Sequence, residues 1–317
     1  PQLLFASFAL VASCANLALF IVTPDGGMAF LSRLIVGFAL AGVYPVGLKI
    51  AVGWSVKRRG LITSLLVGAL ALGSSAPHLA VYLGGVDWQW TLLVTSAAGA
   101  VGGLSILLCE VGPHHQRAAK FDARTITKAW HLKPVRYAFL GYFGHMWELY
   151  AFWAWVGVAA SVAAVGHVAN PQAFGSLIAF LAIALGALAC VPAGFYADKF
   201  GKARVARTAM LFSAVSGIAA AMLFDGPLVL FVVALIVWGI SIVPDSPQFS
   251  ALVADHAPPE YVGSLMTLQT ALGFALTSIT VQFLPLFVGF FGWQAAFLCL
   301  ALGPALGIYA MRYFKAD

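Results

Sequence analysis

Four charged side chains stand inside long apolar runs and are the first candidates for chemistry: Arg33, Lys49, Glu148 and Asp245. A charge taken out of water is costly, and is kept where it meets a partner, a cavity or a passing ion. In the stretch Gly144-His145-Met146-Trp147-Glu148-Leu149-Tyr150, His145 and Glu148 are spaced i, i+3 and so share one helix face. A carboxyl group removed from water holds its proton more readily, and imidazole titrates near neutral pH, so the two form a candidate proton-coupling pair. The alternative is a buried hydrogen bond that only orders the helix. Farther along, Pro244-Asp245-Ser246-Pro247-Gln248 interrupts an apolar run, because each proline removes a backbone donor. Asp245 and Gln248 share a face by the same spacing and can hold a solute or a proton; a kink used only for packing is the competing reading. Arg33 lies about six residues, or about 9 Å, inside its run. It either binds an anionic group, tunes a neighbouring acid or makes a structural pair. Lys49 stands near the end of its run, where a long side chain reaches back to the interface. The aromatic cluster Trp147, Tyr150, Phe152, Trp153 and Trp155 either lines a cavity or faces lipid. Gln269 and Gln282 suit a site and a helix–helix contact equally.

The elements that must position these groups are transmembrane helices. Of 317 residues, 62% are hydrophobic and 9% charged, where a soluble domain carries about 25% charged residues. With a mean hydropathy of +0.95, most of this surface belongs in lipid. Ten apolar runs are long enough to cross the hydrocarbon, over 3–23, 28–52, 61–83, 89–109, 137–163, 173–196, 205–224, 227–254, 264–289 and 294–312. A transmembrane β-barrel needs short alternating segments, which are not present. The seventeen Lys and Arg, apart from Arg33 and Lys49, fall in alternate gaps: Lys57 to Arg59, Arg117 to Arg136, Lys199 to Arg207, and the C-terminal Arg312 and Lys315. The gaps between carry Asp25, Asp87 and Asp225 and no Lys or Arg. The positive-inside rule then places the basic side, and with it both termini, in the cytoplasm. The gap from Asp255 to Gly263 is cytoplasmic by parity yet holds no basic residue. The net charge of +6 therefore reads as membrane orientation, with no nucleic-acid partner.

Other chemistries find little support. Cys14, Cys109, Cys190 and Cys299 lie singly in apolar runs, with no metal-ligand spacing. His114-His115 is the one adjacent histidine pair, and neighbours on a helix point apart. No phosphate loop, HExxH or GxSxG motif is present. The chain reads as neither an enzyme nor a cofactor protein.

The segment Gly194-Phe195-Tyr196-Ala197-Asp198-Lys199-Phe200-Gly201-Lys202-Ala203-Arg204 resembles the cytoplasmic signature G-x-x-x-D-R/K-x-G-R/K-x-R/K of the major facilitator superfamily. Asp198 can accept from free helix N–H groups, Gly201 permits the turn, and Lys199, Lys202 and Arg204 hold the loop at the basic side, pairing with acids or lipid phosphates. Arg33-Leu34-Ile35-Val36-Gly37 resembles the family's R-x-x-x-G pattern, and Trp88-Gln89-Trp90 and Gly292-Trp293-Gln294 resemble the turn entering the last helix of each half. Gly73-Ser74-Ser75-Ala76-Pro77 departs from the family's antiporter motif at Ala76. The resemblance implies an all-α polytopic bundle of two pseudo-symmetric halves, with ten of twelve helices present and the first two absent. Residues 1–110 would form a truncated N-terminal half, 111–136 a cytoplasmic interdomain loop, either surface-lying or solvated, and 137–317 a six-helix C-terminal half. The spans with Arg33, Glu148 and Asp245 then count as fourth, seventh and tenth, helices that line the family's cavity. The implied function is secondary transport of a small solute, organic or inorganic anions first, by alternating access and proton symport. A passive facilitator or channel is the alternative, and a membrane enzyme a remote one. The expected setting is a monomer in a bacterial inner membrane, its partners being solute, protons and the bilayer.

Overall fold

A computed structural model describes residues 1–22, 26–85, 87–115 and 130–314. Most of the basic loop expected over 111–136, with Arg117, Lys120, Arg124 and Lys128, lies outside the described residues, as does Lys315. Regular structure among the described residues is helical: α1 (Gln2–Leu17), α2 (Gly27–Val52), α3 (Arg59–Tyr82), α4 (Trp88–Ser105), α5 (Lys133–Ala163), α6 (Pro171–Phe200), α7 (Lys202–Leu223), α8 (Leu228–Ile242), α9 (Ser246–His256) and α10 (Val262–Met311).

Sequence punctuation sets these bounds. The Asn170 side chain accepts from Ala173 N (3.0 Å) and caps α6 ahead of Pro171; the Asp87 side chain accepts from Gln89 N (3.0 Å) and caps α4. Gly201 turns the chain from α6 into α7 with φ 99°, a conformation that disfavours any side chain. Pro244 and Pro247 separate α8 from α9, which together fill the run expected over 227–254. The run Val262–Met311 is two helices, parted where Gly292 takes φ 79°. Eight of the described helical stretches, two of them these composite runs, are long and apolar enough to cross a membrane. Helix α5 has the length but a lower mean hydropathy, because Trp147, Trp153, Trp155, three tyrosines and Glu148 lie within it.

The helices gather into two compact units, Pro1–Val56 with Gly85–Ala118, and Lys57–Gly84 with Ala119–Asp317. The first holds α1, α2 and α4, with α1 packed on both others. The second holds α3 and α5 through α10. Helix α3, which chain order places in the N-terminal half, packs lengthwise on α6.

Small residues permit that approach, as in many membrane bundles where lipid gives no hydrophobic drive between helices. Gly60, Ser64 and Gly68 recur every fourth residue along α3. A Cβ at Gly68 would lie 2.9 Å from the Ala187 carbonyl, and one at Gly194 would lie 2.6 Å from Ser64 Oγ. Gly144 meets Gly303 and Gly307 across α5 and α10, and Gly186 meets the Gly239 carbonyl across α6 and α8. The core of this unit holds an aromatic group, with the Trp238 ring tilted against Phe152 at 4.8 Å and edge-on to Phe297 at 5.6 Å, centroid to centroid.

Gly194→Ile is expected to wedge α3 from α6 and destabilise the protein by about 1–3 kcal/mol, read as a lower melting temperature in detergent. Gly73→Leu, on α3 where an added Cβ would meet nothing within 4 Å, should leave melting unchanged. Equal effects from the two would contradict the packing described.

Candidate functional site

The second unit buries one imidazole and two carboxyl side chains completely: His145, Glu148 and Asp245. Helix α5 carries the first two, and the break between α8 and α9 carries the third. His145 Nδ1 lies 2.9 Å from Asp245 Oδ1, and the imidazole sits among Tyr142 (6.0 Å) and Phe249 (6.2 Å). Glu148 faces elsewhere: its Oε1 accepts from Ser213 Oγ of α7 (2.7 Å) and its Oε2 from Trp238 Nε1 of α8 (3.0 Å). The expected face-sharing of His145 and Glu148 thus yields two adjacent sites with separate partners. Gln248, also fully buried, donates to Ser64 Oγ of α3 (3.0 Å) and to the Pro244 carbonyl (3.3 Å).

No lysine or arginine touches these acids among the described residues. Two carboxyls and one imidazole are electroneutral when together they hold two protons. Any other count leaves net charge in a dry interior, where an uncompensated charge is expensive. Several buried polar atoms of this unit have no partner: His145 Nε2, Asp245 Oδ2, Gln248 Oε1, Gln269 Oε1 and Trp153 Nε1. A buried polar atom left unpaired has a cost that a bound ligand or water can relieve. The other indoles of α5 are structural, Trp147 Nε1 donating to the Cys299 carbonyl (2.9 Å) and Trp155 Nε1 to the Val281 carbonyl (3.1 Å).

Arg33 lies in the first unit and is exposed. Its Nη2 donates to Asn16 Oδ1 (2.9 Å) and Ser32 Oγ (3.2 Å), while Asn16 Nδ2 donates to Ser96 Oγ (2.8 Å) and Thr95 Oγ1 (3.2 Å). A polar chain therefore ties α2 to α1 and α1 to α4. Asn16, Thr95 and Ser96 border a cavity of about 450 Å³. Arg33 has no acid partner among the described residues. At the end of the same unit, burial and then the Lys49 ammonium push the His115 imidazole below its ordinary range.

The signature residues form a second polar assembly within the second unit. Helix α3 begins without a side-chain cap of its own. Asp198, at the end of α6, supplies one: Oδ1 accepts from Gly60 N (2.8 Å) and Oδ2 from Leu61 N (2.9 Å), both free donors of the first turn. Lys202 Nζ lies 3.8 Å from Asp198 and 2.8 Å from Asp255, and Arg59 Nη1 reaches Asp255 (3.0 Å) and the Ala254 carbonyl (2.7 Å). The helix that Asp198 caps is α3, 138 positions back along the chain from Asp198 to Gly60. Lys199 lies over the Phe200 ring at 5.2 Å, Gly194 admits Ser64, and Arg204 is exposed. Asp255, Ser213, Trp238 and Asn16 were not singled out by sequence. Polar residues inside apolar runs are the signal that marks Asn16 and Ser213.

The sequence profile of the Major Facilitator Superfamily matches residues 1–280. Solved structures of low identity share the fold. A variant of the fucose:proton symporter of E. coli aligns with TM-score 0.71 at 13% identity, covering 100% of this chain and 83% of that one. The human organic anion transporter MFSD10 aligns with TM-score 0.73 at 16% identity, covering 98% and 80%. A bacterial homologue of the iron transporter ferroportin aligns with TM-score 0.69 at 14% identity, covering 100% and 84%. No curated protein matches the sequence.

Asp198→Ala removes both cap bonds and is expected to destabilise the protein by about 1–2 kcal/mol, with the detergent melting temperature as readout. Asp198→Asn keeps an acceptor and should cost less. A melting temperature untouched by Asp198→Ala would show that α3 does not depend on this cap.

Proposed function

The chain belongs to the major facilitator superfamily, and on that premise we propose that it is a proton-coupled secondary transporter that moves a small solute by alternating access. It is an integral membrane protein of a transporter family. The finer reading rests on one observation, the wholly buried set of His145, Asp245 and Glu148 with no lysine or arginine touching it among the described residues. Side chains kept in lipid for packing alone are better apolar, since a buried ion pair rarely stabilises more than its hydrophobic replacement. Carboxyls that trade protons between the two sides of a membrane give selection a reason to bear that cost. In this reading Asp245 and His145 share one proton position, at the helix break, and Glu148 holds another. Half-helix ends at such breaks are recurrent binding places in transporters.

The solute proposed first is a small organic or inorganic anion, because among the described residues the Arg33 guanidinium meets only neutral oxygens. The unpartnered acceptors Gln248 Oε1 and Gln269 Oε1 favour a second class, neutral solutes rich in hydroxyl groups. The protein works as a monomer without cofactor, in a bacterial inner membrane with both termini cytoplasmic. A passive facilitator is the competing mechanism, favoured by the complete hydrogen bonding of Glu148 to Ser213 and Trp238.

Proteoliposomes screened with labelled anions and polyols should take up a solute faster under an inward proton gradient. Glu148→Gln should abolish that stimulation while leaving solute exchange at equilibrium. Uptake indifferent to gradient and substitution alike would identify a facilitator and return Glu148 to a structural role.

A further inference from the structure

Helices α6, α7 and α8 do not close against one another on their outer side. Ala189 and Ala193 of α6, Ala209 of α7 and Pro244 at the α8 break leave a trough of about 560 Å³ whose walls are almost wholly apolar. Large exposed side chains flank it, Phe212 and Tyr196 among them. Along α6 the trough runs from Ala189 to Phe200, about 16 Å of helix rise. Such a length suits part of an extended hydrocarbon chain.

One cation stands in the wall of this trough, Arg204, and it is exposed. It has no ion-pair partner among the described residues. Of its basic neighbours, Lys202 and Arg59 pair with Asp255, Lys202 with Asp198 as well, and Arg207 donates to the Ala203 carbonyl. Arg204 also borders an adjoining cavity of about 360 Å³, with Lys202, Arg207 and His256. The two carboxylates in that cavity, Asp198 and Asp255, are engaged by backbone N–H groups, Lys202 and Arg59. The unneutralised charge there is therefore positive. Tyr196 and Phe200, stacked at 5.8 Å beside it, are residue types that lie at headgroup level.

We propose that the α6–α7–α8 trough binds one acidic phospholipid, its acyl chain along Ala193 and Ala209 and its phosphate on Arg204. An apolar trough ending at a single unpaired guanidinium complements a molecule with one anionic group joined to a long apolar tail. A zwitterionic lipid offers the same tail and phosphate but adds a cation, which Arg204 and Arg207 repel. The tail would lie against Ser241 and Pro244, directly before Asp245, so occupancy bears on the helix break that holds the buried acid. Lipid binding stands independently of any transport mechanism, and its test reads no transport.

The intact chain is purified in detergent, incubated with equal mole fractions of phosphatidylglycerol and phosphatidylcholine of identical chains, and analysed by native mass spectrometry. The expected result is a severalfold preference for retained phosphatidylglycerol. Arg204→Gln, at an exposed position, should reduce that ratio to about one, Arg204→Lys should preserve most of it, and Ala193→Phe, which fills the trough, should lower retention of both lipids. Equal retention by the unaltered protein overturns the proposal whether or not any variant folds. An undiminished ratio in Arg204→Gln overturns it too. Retention of soluble glycerophosphate as strong as that of the lipid would overturn the groove and leave a bare phosphate site.

Discussion

Inside a bilayer no water is available to satisfy a polar group, and every other feature of this protein answers to that constraint. Helices satisfy the backbone internally, so the chain is helical wherever it is apolar. Helix ends and broken helices leave donors and acceptors that need partners from elsewhere. At the basic side the Asp198 carboxylate supplies two of those partners to α3, Lys202 bridges it to Asp255, and Arg59 pairs with Asp255. The cap works because α3 and α6 come very close, and they do so because Gly60, Ser64, Gly68 and Gly194 present almost nothing between their backbones. Packing of small residues and placement of charge are there a single arrangement.

The interior of the same unit treats charge differently. At the loop, acids meet lysine and arginine; in the core, Glu148 and Asp245 meet a serine, an indole and an imidazole. A permanent cation would lock each acid as an ion. Neutral donors and a titratable imidazole leave the number of bound protons free to change, at a cost that depends on the net charge. The cluster sits where α8 gives way to α9, so a change of charge acts where Pro244 and Pro247 have already removed helix hydrogen bonds.

Much of this was legible in sequence, and the remainder was not for definable reasons. Run length located the spans, and Gly201, Gly292 and the Pro244–Pro247 pair located the breaks, because backbone restrictions are local. Titratable residues inside apolar runs named His145, Glu148 and Asp245. Their partners were illegible. Residues spaced i, i+3 differ by about 60° around a helix, enough for His145 to face α9 and Glu148 to face α7 and α8. Trp238 is unremarkable in an apolar helix until packing brings it to a carboxylate. The capping of α3 by Asp198 joins residues 137 and 138 positions apart, beyond any local rule. Asp255 fell in a gap noted only for lacking basic residues, and that lack is met by Lys202 and Arg59 arriving from other helices.

The central claim is that the buried acids exchange protons with the aqueous phase, and it can be tested without knowing the solute. Proteoliposomes adsorbed on a solid-supported membrane are given a rapid pH step, and the displaced charge is recorded. The account predicts a transient current in the unaltered protein that is lost in the double variant Glu148→Gln, Asp245→Asn. A current of the same size in both, or none in either, would contradict it.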